Sequence, residues 1–225
     1  MENILLLTMK LAFLSLTLSL AMSAAPTTSG NVTILTSPQN LTSGSLTSNT
    51  NTFLIQERLN YVLPSSVTLD TLTNGITYTT FWPGTSSTLP AGTLVDVWLF
   101  HVQRSGLSLG NLTSSIDFGS QILGYAGRSV CVGGGTCPAD TDVHGGPGNT
   151  YAASALRGLE LLVSNDTITQ NSNTSVTILA RTNSLLLDEV RIFVVSTPEP
   201  GTMAGTGIAL TALALFRWRR TRAGM

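Results

Sequence analysis

The chain has 225 residues, a formal net charge of −1 and only 10% charged residues, well below the roughly 25% of a typical soluble protein. This length predicts one domain of ordinary size once the terminal segments are set aside. Most of the chain between its ends is poor in basic residues, because four of the eleven lie in the last nine positions, so no basic stripe is available to neutralise phosphates and a nucleic-acid partner is not expected.

The N-terminus is typical of a secretory signal peptide. Lys10 precedes an apolar run over 11–20, and the small residues Ala21 and Ser23 fit cleavage after Ser23. We therefore assign 1–25 to a signal helix. The alternative is an uncleaved membrane anchor, although the apolar run is shorter than the roughly 20 residues that a span requires.

The first eight residues fit this pattern poorly, because Glu2 and three leucines precede the lysine. Translation starts at either Met1 or Met9, and the sequence leaves both open.

Residues 26–60 are rich in Thr, Ser and Asn and are predicted to form a leader. One stretch, 31–36, alternates like a strand. The segment 37–52 is expected to be linker or loop.

Alternating apolar and polar residues predict most of the remaining strands. Asn74 and Gly75 form a two-residue hairpin signal and predict that the runs on either side pair antiparallel. The predicted strands are 66–71, 76–82, 93–102, 114–118, 121–125, 128–132, 158–163, 175–181 and 189–195, and a short helical turn is considered over 151–156.

These short strands predict an all-β domain over 61–196, an antiparallel two-sheet sandwich with a jelly-roll-like arrangement. A β-solenoid is the alternative, but the sequence shows no fixed-period repeat.

The two cysteines, Cys131 and Cys137, are separated by five residues in a glycine-rich loop that can bring the sulfurs together. A disulfide is the preferred interpretation for an exported chain. Free thiols and a metal site are the alternatives.

A loop that follows the second cysteine carries oxygen and nitrogen donors at alternate positions: Asp140, Asp142 and His144, with Gly145 and Gly146 behind them. Alternate spacing lets side chains converge on one ion, so calcium is a candidate cofactor here. A structural loop whose carboxylates bind backbone amides is the competing interpretation. No other cofactor is expected.

Catalytic patterns are weak. Glu160 and Asp188 could supply the two carboxyls of a glycosidase only at a suitable separation. The preferred interpretation of Asp188 and Glu189 with Arg157 and Arg191 is a salt-bridged sheet edge. His101 lies in an apolar strand, and no Gly-x-Ser-x-Gly motif accompanies it. We therefore expect a non-catalytic protein.

Four aromatic residues form a candidate sugar-stacking platform, with core packing as the alternative: Tyr78, Trp82, Trp98 and Tyr125.

The C-terminal segment 197–225 has three parts. Pro198, Glu199 and Pro200 form a stiff extended element. An uncharged apolar stretch over 201–216 follows and is predicted to be a transmembrane helix. Its basic end, Arg217, Arg219 and Arg220, is expected to stay cytoplasmic.

This tail resembles the PEP-CTERM sorting signal of bacterial exported proteins. The resemblance implies that an exosortase, a membrane transpeptidase, processes the tail, so that the helix is only transiently inserted and the protein reaches the cell surface or extracellular matrix. Thr197 and Gly201 depart from the residues frequent at those positions.

A weaker resemblance to ectodomains of the same family covers about 96–195 and carries no catalytic assignment. It rests on short matching blocks such as Arg157-Gly158-Leu159-Glu160 and Asp188-Glu189-Val190-Arg191. The expected function is that of a non-catalytic surface or matrix protein, with polysaccharide as a candidate partner. The alternatives are an exported glycan-acting hydrolase and a permanently anchored single-pass protein.

Overall fold

A computed structural model describes residues 25–79, 82, 85–107, 109–128, 137–153, 157–160, 165–182 and 185–196. Contacts group Ala25–Ser196 into one unit. Within the described ranges no helix is long and apolar enough to span a membrane. The predicted span 201–216, the sorting motif and nearly all of the predicted signal peptide lie outside those ranges.

The fold is all-β with one short helix among the residues described. The helix is a 3₁₀ helix over Pro138–His144. The strands are β1 (Thr27–Ser29), β2 (Val32–Thr36), β3 (Asn40–Leu41), β4 (Thr52–Val62), β5 (Val67–Asp70), β6 (Thr77–Tyr78), β7 (Ser86–Leu89), β8 (Leu94–Val102), β9 (Gly110–Asp117), β10 (Ile122–Ala126), β11 (Thr150–Tyr151), β12 (Thr167–Gln170), β13 (Ser175–Thr182) and β14 (Asp188–Val195).

The strands form two larger sheets and one small one. A seven-stranded sheet has the order β2-β4-β8-β14-β10-β5-β7, and a five-stranded sheet has the order β1-β9-β13-β12-β6. The small sheet pairs β11 with β3. Most neighbours are antiparallel, but β2 with β4 and β3 with β11 are parallel, so the prediction of a purely antiparallel arrangement is wrong for these two pairs.

The two larger sheets differ in how their faces are covered. In β13 the side chains alternate between half-buried and buried, with Ser, Thr and Arg on the outer face, as expected for an antiparallel sheet with one solvated face. In β8 every residue after Leu94 is buried. The centre of the seven-stranded sheet is therefore covered on both faces.

One hydrophobic core joins the two larger sheets. It includes Phe100 from β8 and Ile192 from β14 on one side, with Ile116 from β9 and Ile178 from β13 on the other, all nearly or fully buried. This shared core positions the elements of one sheet opposite those of the other, consistent with a sandwich.

Residues 26–60 are not a loose leader, contrary to the prediction. They supply four strands, and β4 lies between β2 and β8 in the seven-stranded sheet. The strand pattern of β4 is interrupted by register shifts between Gln56 and Arg58 and between Arg58 and Tyr61, and Asn60 has a positive φ of 49°. These irregularities break the two-residue period that marks a strand in sequence.

The predicted hairpin at Asn74-Gly75 is also wrong. Gly75 does form a turn, with a φ of 78°, but β5 before it pairs with β10 and β7, whereas β6 after it pairs with β12. The turn therefore carries the chain from one sheet to the other.

Strands are confirmed within six predicted ranges, with shifts of a few residues at their ends: β2, β5, β8, β9, β10 and β14. β13 is confirmed as well. The predicted 158–163 strand is reduced to a bridge between Leu159 and Arg128 within the described residues, and 76–82 to the two residues of β6. The predicted helical turn begins at Tyr151, which lies in β11.

Candidate functional site

β14 presents charged residues on both of its faces because side chains alternate along a strand. Val190 and Ile192 belong to the core between the sheets, which places Asp188 on that same face. Glu189 and Arg191 project from the opposite face, against which a covering segment packs that consists of the described residues 137–153 together with Arg157. Asp188, Glu189 and Arg191 are all fully buried.

Arg191 is the centre of the network beneath this segment. Its Nε donates to Glu57 Oε2 at 2.6 Å, and its terminal nitrogens donate to Thr141 Oγ1 at 2.6 Å and to the carbonyl of Pro138 at 2.7 Å. A further bond reaches Asp142 Oδ1 at 3.1 Å. Arg191 thereby ties β14 to β4 and to the 3₁₀ helix.

Glu57 is held in its ionised form. Burial raises its pKa, but the Arg191 guanidinium and hydrogen bonds from Arg191 and Tyr151 lower it more, so the pKa lies below its usual value. The hydroxyl of Tyr151 donates to Glu57 Oε1, and Asn149 Nδ2 donates to the same oxygen at 3.1 Å. β11 is fastened to the sheet through this carboxylate.

A second branch of the network runs through Glu189. Its Oε2 lies 2.7 Å from Arg157 Nε, in an orientation outside hydrogen-bond geometry, and its Oε1 lies 3.0 Å from His101 Nδ1. Arg157 also binds both oxygens of Asp142, at 2.7 and 2.9 Å. Asp142 therefore joins the two branches.

Both ring nitrogens of His101 face acceptors. Nε2 lies 3.0 Å from the carbonyl oxygen of Leu46, opposite the contact of Nδ1 with Glu189. A ring nitrogen that carries a hydrogen can donate to the acceptor that it faces. The expected salt bridge between Arg157 and Glu189 is present, but it lies under a covering segment rather than at a sheet edge.

The residues of the predicted calcium loop make contacts within the protein. Its residues make up the 3₁₀ helix, and the carboxylate of Asp142 is bound by two arginines. Asp140 is exposed, whereas His144 is 2% exposed and packs edge-on against Tyr61 and Phe193. These contacts of the central carboxylate favour the structural-loop interpretation, and the calcium assignment at Asp140, Asp142 and His144 stays a prediction.

His144 is a neutral imidazole in this environment. Burial lowers its pKa, and the positive charges of Arg191 and Arg58 lower it further. Its Nδ1 is buried without a hydrogen-bond partner among the described residues.

Cys137 precedes the 3₁₀ helix and is disulfide-bonded. Cys131, the only other cysteine of the sequence, lies outside the described residues, so the pairing stays a prediction. The sulfur of Cys137 lies 3.1 Å from Asp140 Oδ2.

A polar pocket lies between the 3₁₀ helix and the start of β5. Its volume is about 310 Å³, at the lower end of the range of small-molecule sites, about 300–1,000 Å³. Hydroxyls of Ser65, Ser66 and Thr68 line one side, and Asp140 and His144 line the other. This surface can hydrogen-bond a hydroxyl-rich ligand.

A separate carboxylate cluster lies on the core side of β14. Glu160, Asp166 and Asp188 each place one oxygen within 4.8 Å of the others. Burial raises the pKa of Asp188 well above its ordinary value, and the carboxylates of Asp166, Glu160 and Glu189 raise it further. Burial and Asp166 likewise raise the pKa of Glu160.

The predicted aromatic platform is not on the surface. Tyr125 and Trp98 are buried in the core, and Tyr78 and Trp82 pack against it while partly buried. Sugar stacking on these rings is therefore corrected to core packing.

Sequence reasoning singled out Glu160 and Asp188 but missed Asp166 and Glu57. The scarcity of charge in the chain was the available signal, since few acids lie between the termini.

No family model matches the chain, and neither does any curated protein or solved structure.

Proposed function

We propose that the chain is an exported, non-catalytic surface or extracellular-matrix protein whose C-terminal signal is processed by an exosortase. The observation that carries this proposal is the coincidence of Pro198-Glu199-Pro200, the apolar stretch 201–216 and the arginine cluster at 217–220. The helix inserts transiently, and the β unit is then left at the surface or released into the matrix.

The limits of the β unit support this proposal. Contacts group Ala25–Ser196 together, so the unit begins beside the predicted cleavage site after Ser23 and ends two residues before Pro198. Both predicted processing sites thus fall outside the unit Ala25–Ser196.

Burial of the acidic residues supports a non-catalytic role. A glycosidase needs both carboxyls in contact with the sugar, whereas Asp188 is 0% exposed. Its neighbour Glu160 is only half-buried, but the other two carboxyls of this cluster, those of Asp166 and Asp188, are both 0% exposed. A glycan-acting hydrolase is therefore the second candidate rather than the first.

We assign polysaccharide contact to the polar pocket that Ser66, Thr68 and Asp140 line. Hydroxyl and carboxylate groups there match the donors and acceptors of a sugar. A glycan array should show binding by the wild-type protein and loss in Asp140→Ala; equal binding by both proteins would remove the pocket from the proposal.

The sorting proposal is tested by mass spectrometry of the C-terminus, in a bacterial host that has an exosortase. Mature wild-type protein from the surface or medium should end near Pro200. A variant with Pro198, Glu199 and Pro200 all replaced by alanine keeps the helix and arginines, and it should retain the peptide through Met225 in the membrane fraction.

An intact C-terminus in mature wild-type protein would instead identify a permanently anchored single-pass protein. Glycan cleavage that disappears in Glu160→Gln would favour the hydrolase.

A further inference from the structure

The carboxyl group of Asp188 is completely buried, and no described residue forms a hydrogen bond with it. Neither Oδ1 nor Oδ2 has one among the described residues, and the side chain is 0% exposed. An isolated buried carboxylate costs several kcal/mol of folding free energy unless a positive charge compensates it. The fold therefore has to supply a cation or a proton at this point.

Two further carboxylates face the same place from other elements. Asp166 lies directly before β12 of the five-stranded sheet, and Glu160 follows the bridge between Leu159 and Arg128. Asp188 begins β14 of the seven-stranded sheet. The cluster thus gathers one acid from each larger sheet and one from the segment that connects them.

Asp166 is oriented by the backbone. Its Oδ2 accepts from the amide of Glu160 at 2.7 Å, and its Oδ1 accepts from the amide of Arg181 at 2.6 Å. The arrangement fixes the carboxylate against both neighbouring segments.

The geometry points to a divalent cation, Ca²⁺, bound between the carboxylates of Glu160, Asp166 and Asp188. The donors are all oxygen atoms. Hard cations such as Ca²⁺ prefer such ligands, whereas zinc and copper favour nitrogen and sulfur. One oxygen from each residue lies within 4.8 Å of the others. Calcium accepts oxygen ligands in a flexible geometry at about 2.3–2.6 Å, so one ion can contact all three oxygens, whereas magnesium demands a nearly ideal octahedron.

The ion would join the two larger sheets at one end of their shared core. Binding only to the folded chain, it would raise stability by mass action. This inference does not depend on export or on processing of the C-terminal signal.

The test uses the full chain and two isosteric variants, Asp188→Asn and Glu160→Gln, with Asp140→Asn as the control. Asp140 is an exposed acid of the 3₁₀ helix, and only its spacing in the sequence made it a candidate calcium ligand. Calcium binding is measured by equilibrium dialysis with radioactive Ca²⁺. Thermal unfolding is followed in EDTA, in about 1 mM CaCl₂ and in about 1 mM MgCl₂, a concentration that suits extracellular calcium sites.

The wild-type protein should bind one Ca²⁺ per chain, and its Tm should rise by several degrees in calcium, less in magnesium, and fall back in EDTA. Asp188→Asn and Glu160→Gln should bind calcium at least about tenfold more weakly and lose the Tm shift. Asp140→Asn should keep both properties.

In EDTA, Asp188→Asn should be at least as stable as the wild-type protein, because the amide removes a buried charge that lacks a partner. If the Asp188 carboxyl had a purely structural role, Asp188→Asn would instead be less stable than the wild-type protein both in EDTA and in calcium.

Absence of saturable calcium binding by the wild-type chain overturns the proposal, whether or not the variants fold. Unchanged calcium affinity in Asp188→Asn or in Glu160→Gln also overturns it. Loss of binding in Asp140→Asn with retention in Asp188→Asn would move the site to the 3₁₀ helix.

Discussion

Arg191 holds together three parts of the chain that are far apart in sequence. It is completely buried, and burial opposes its charge, but the Glu57 carboxylate and the acceptors around it raise its pKa above the ordinary value. The bond between Arg191 Nε and Glu57 Oε2 is 2.6 Å long and joins residues 134 positions apart. Removal of either partner leaves the other as a buried charge without its main counter-charge, although Arg191 keeps the longer contact with Asp142 at 3.1 Å.

Replacement of Glu57 by Gln should therefore lower the free energy of unfolding by about 3–5 kcal/mol, the range for breaking a buried ion pair. Urea denaturation measures the change. Asp117→Asn, which removes an exposed acid, should change stability by less than about 1 kcal/mol. Similar losses in the two variants would show that the network contributes little.

His144 makes stability depend on pH in a defined direction. Its folded pKa is lowered from 6.5 by burial and by the charges of Arg191 and Arg58, so the unfolded chain binds more protons just below pH 6.5 than the folded one. The stability contributed by the neutral ring is fully present above about pH 6.5 and is lost as pH falls toward the folded pKa.

Phenylalanine at position 144 cannot be protonated but can keep the edge contacts with Tyr61 and Phe193, whose ring centroids lie 6.2 and 6.1 Å away. Urea midpoints of His144→Phe should consequently fall less between pH 7.5 and 5.5 than those of the wild-type protein. Parallel pH profiles for the two proteins would exclude this role for His144.

At the scale of elements, the covering segment is fixed just beyond its end by a close backbone approach. The amide of Leu159 donates to the carbonyl of Gly127 at 2.8 Å. A Cβ at Gly158 would lie 2.2 Å from the carbonyl carbon of Arg128 and 2.4 Å from the carbonyl oxygen of Gly127. Backbone atoms on both sides leave no room for a side chain.

We expect Gly158→Ala to destabilise the fold by about 1–3 kcal/mol, the usual cost of overpacking. Gly106→Ala is the matched control, since a Cβ there meets nothing within 4 Å. Thermal unfolding distinguishes the two variants, and equal Tm values would mean that the segment can shift away from Arg128 without cost.

At the scale of the whole molecule, residues 26–60 are part of the fold. Strand β4 pairs with β8 over Phe53 to Val62 and contributes Leu54 to the core between the sheets. It also carries Glu57, the partner of Arg191. A chain that begins at residue 61 loses the neighbour of β8 together with this buried carboxylate.

Such a shortened chain should not fold cooperatively, whereas a chain that begins at Ala25 should. Circular dichroism during thermal unfolding tests this expectation. A cooperative transition in the shorter chain would mean that β8 is stable as an edge strand. We do not expect this, because the backbone N–H and C=O groups of β8 that pair with β4 would then be unpaired.

The sequence by itself determined the fold class and many of the strands, because their two-residue period is a local property. β13 alternates without interruption, and β8 is recognised by its β-branched and aromatic residues. The short 3₁₀ helix was missed, since the spacing of Asp140 and Asp142 resembled that of a calcium loop. The export and sorting signals that we propose also rest on local composition.

Only the tertiary structure decided which partners these elements take. The turn at Gly75 is local, but whether the strands beside it pair with each other depends on distant neighbours. Likewise, Glu57 meets Arg191 and Asp188 meets Asp166 through sheet register and packing between layers. Contacts between residues far apart in the chain leave no periodic trace in sequence, so the buried network and the carboxylate cluster emerge only in three dimensions.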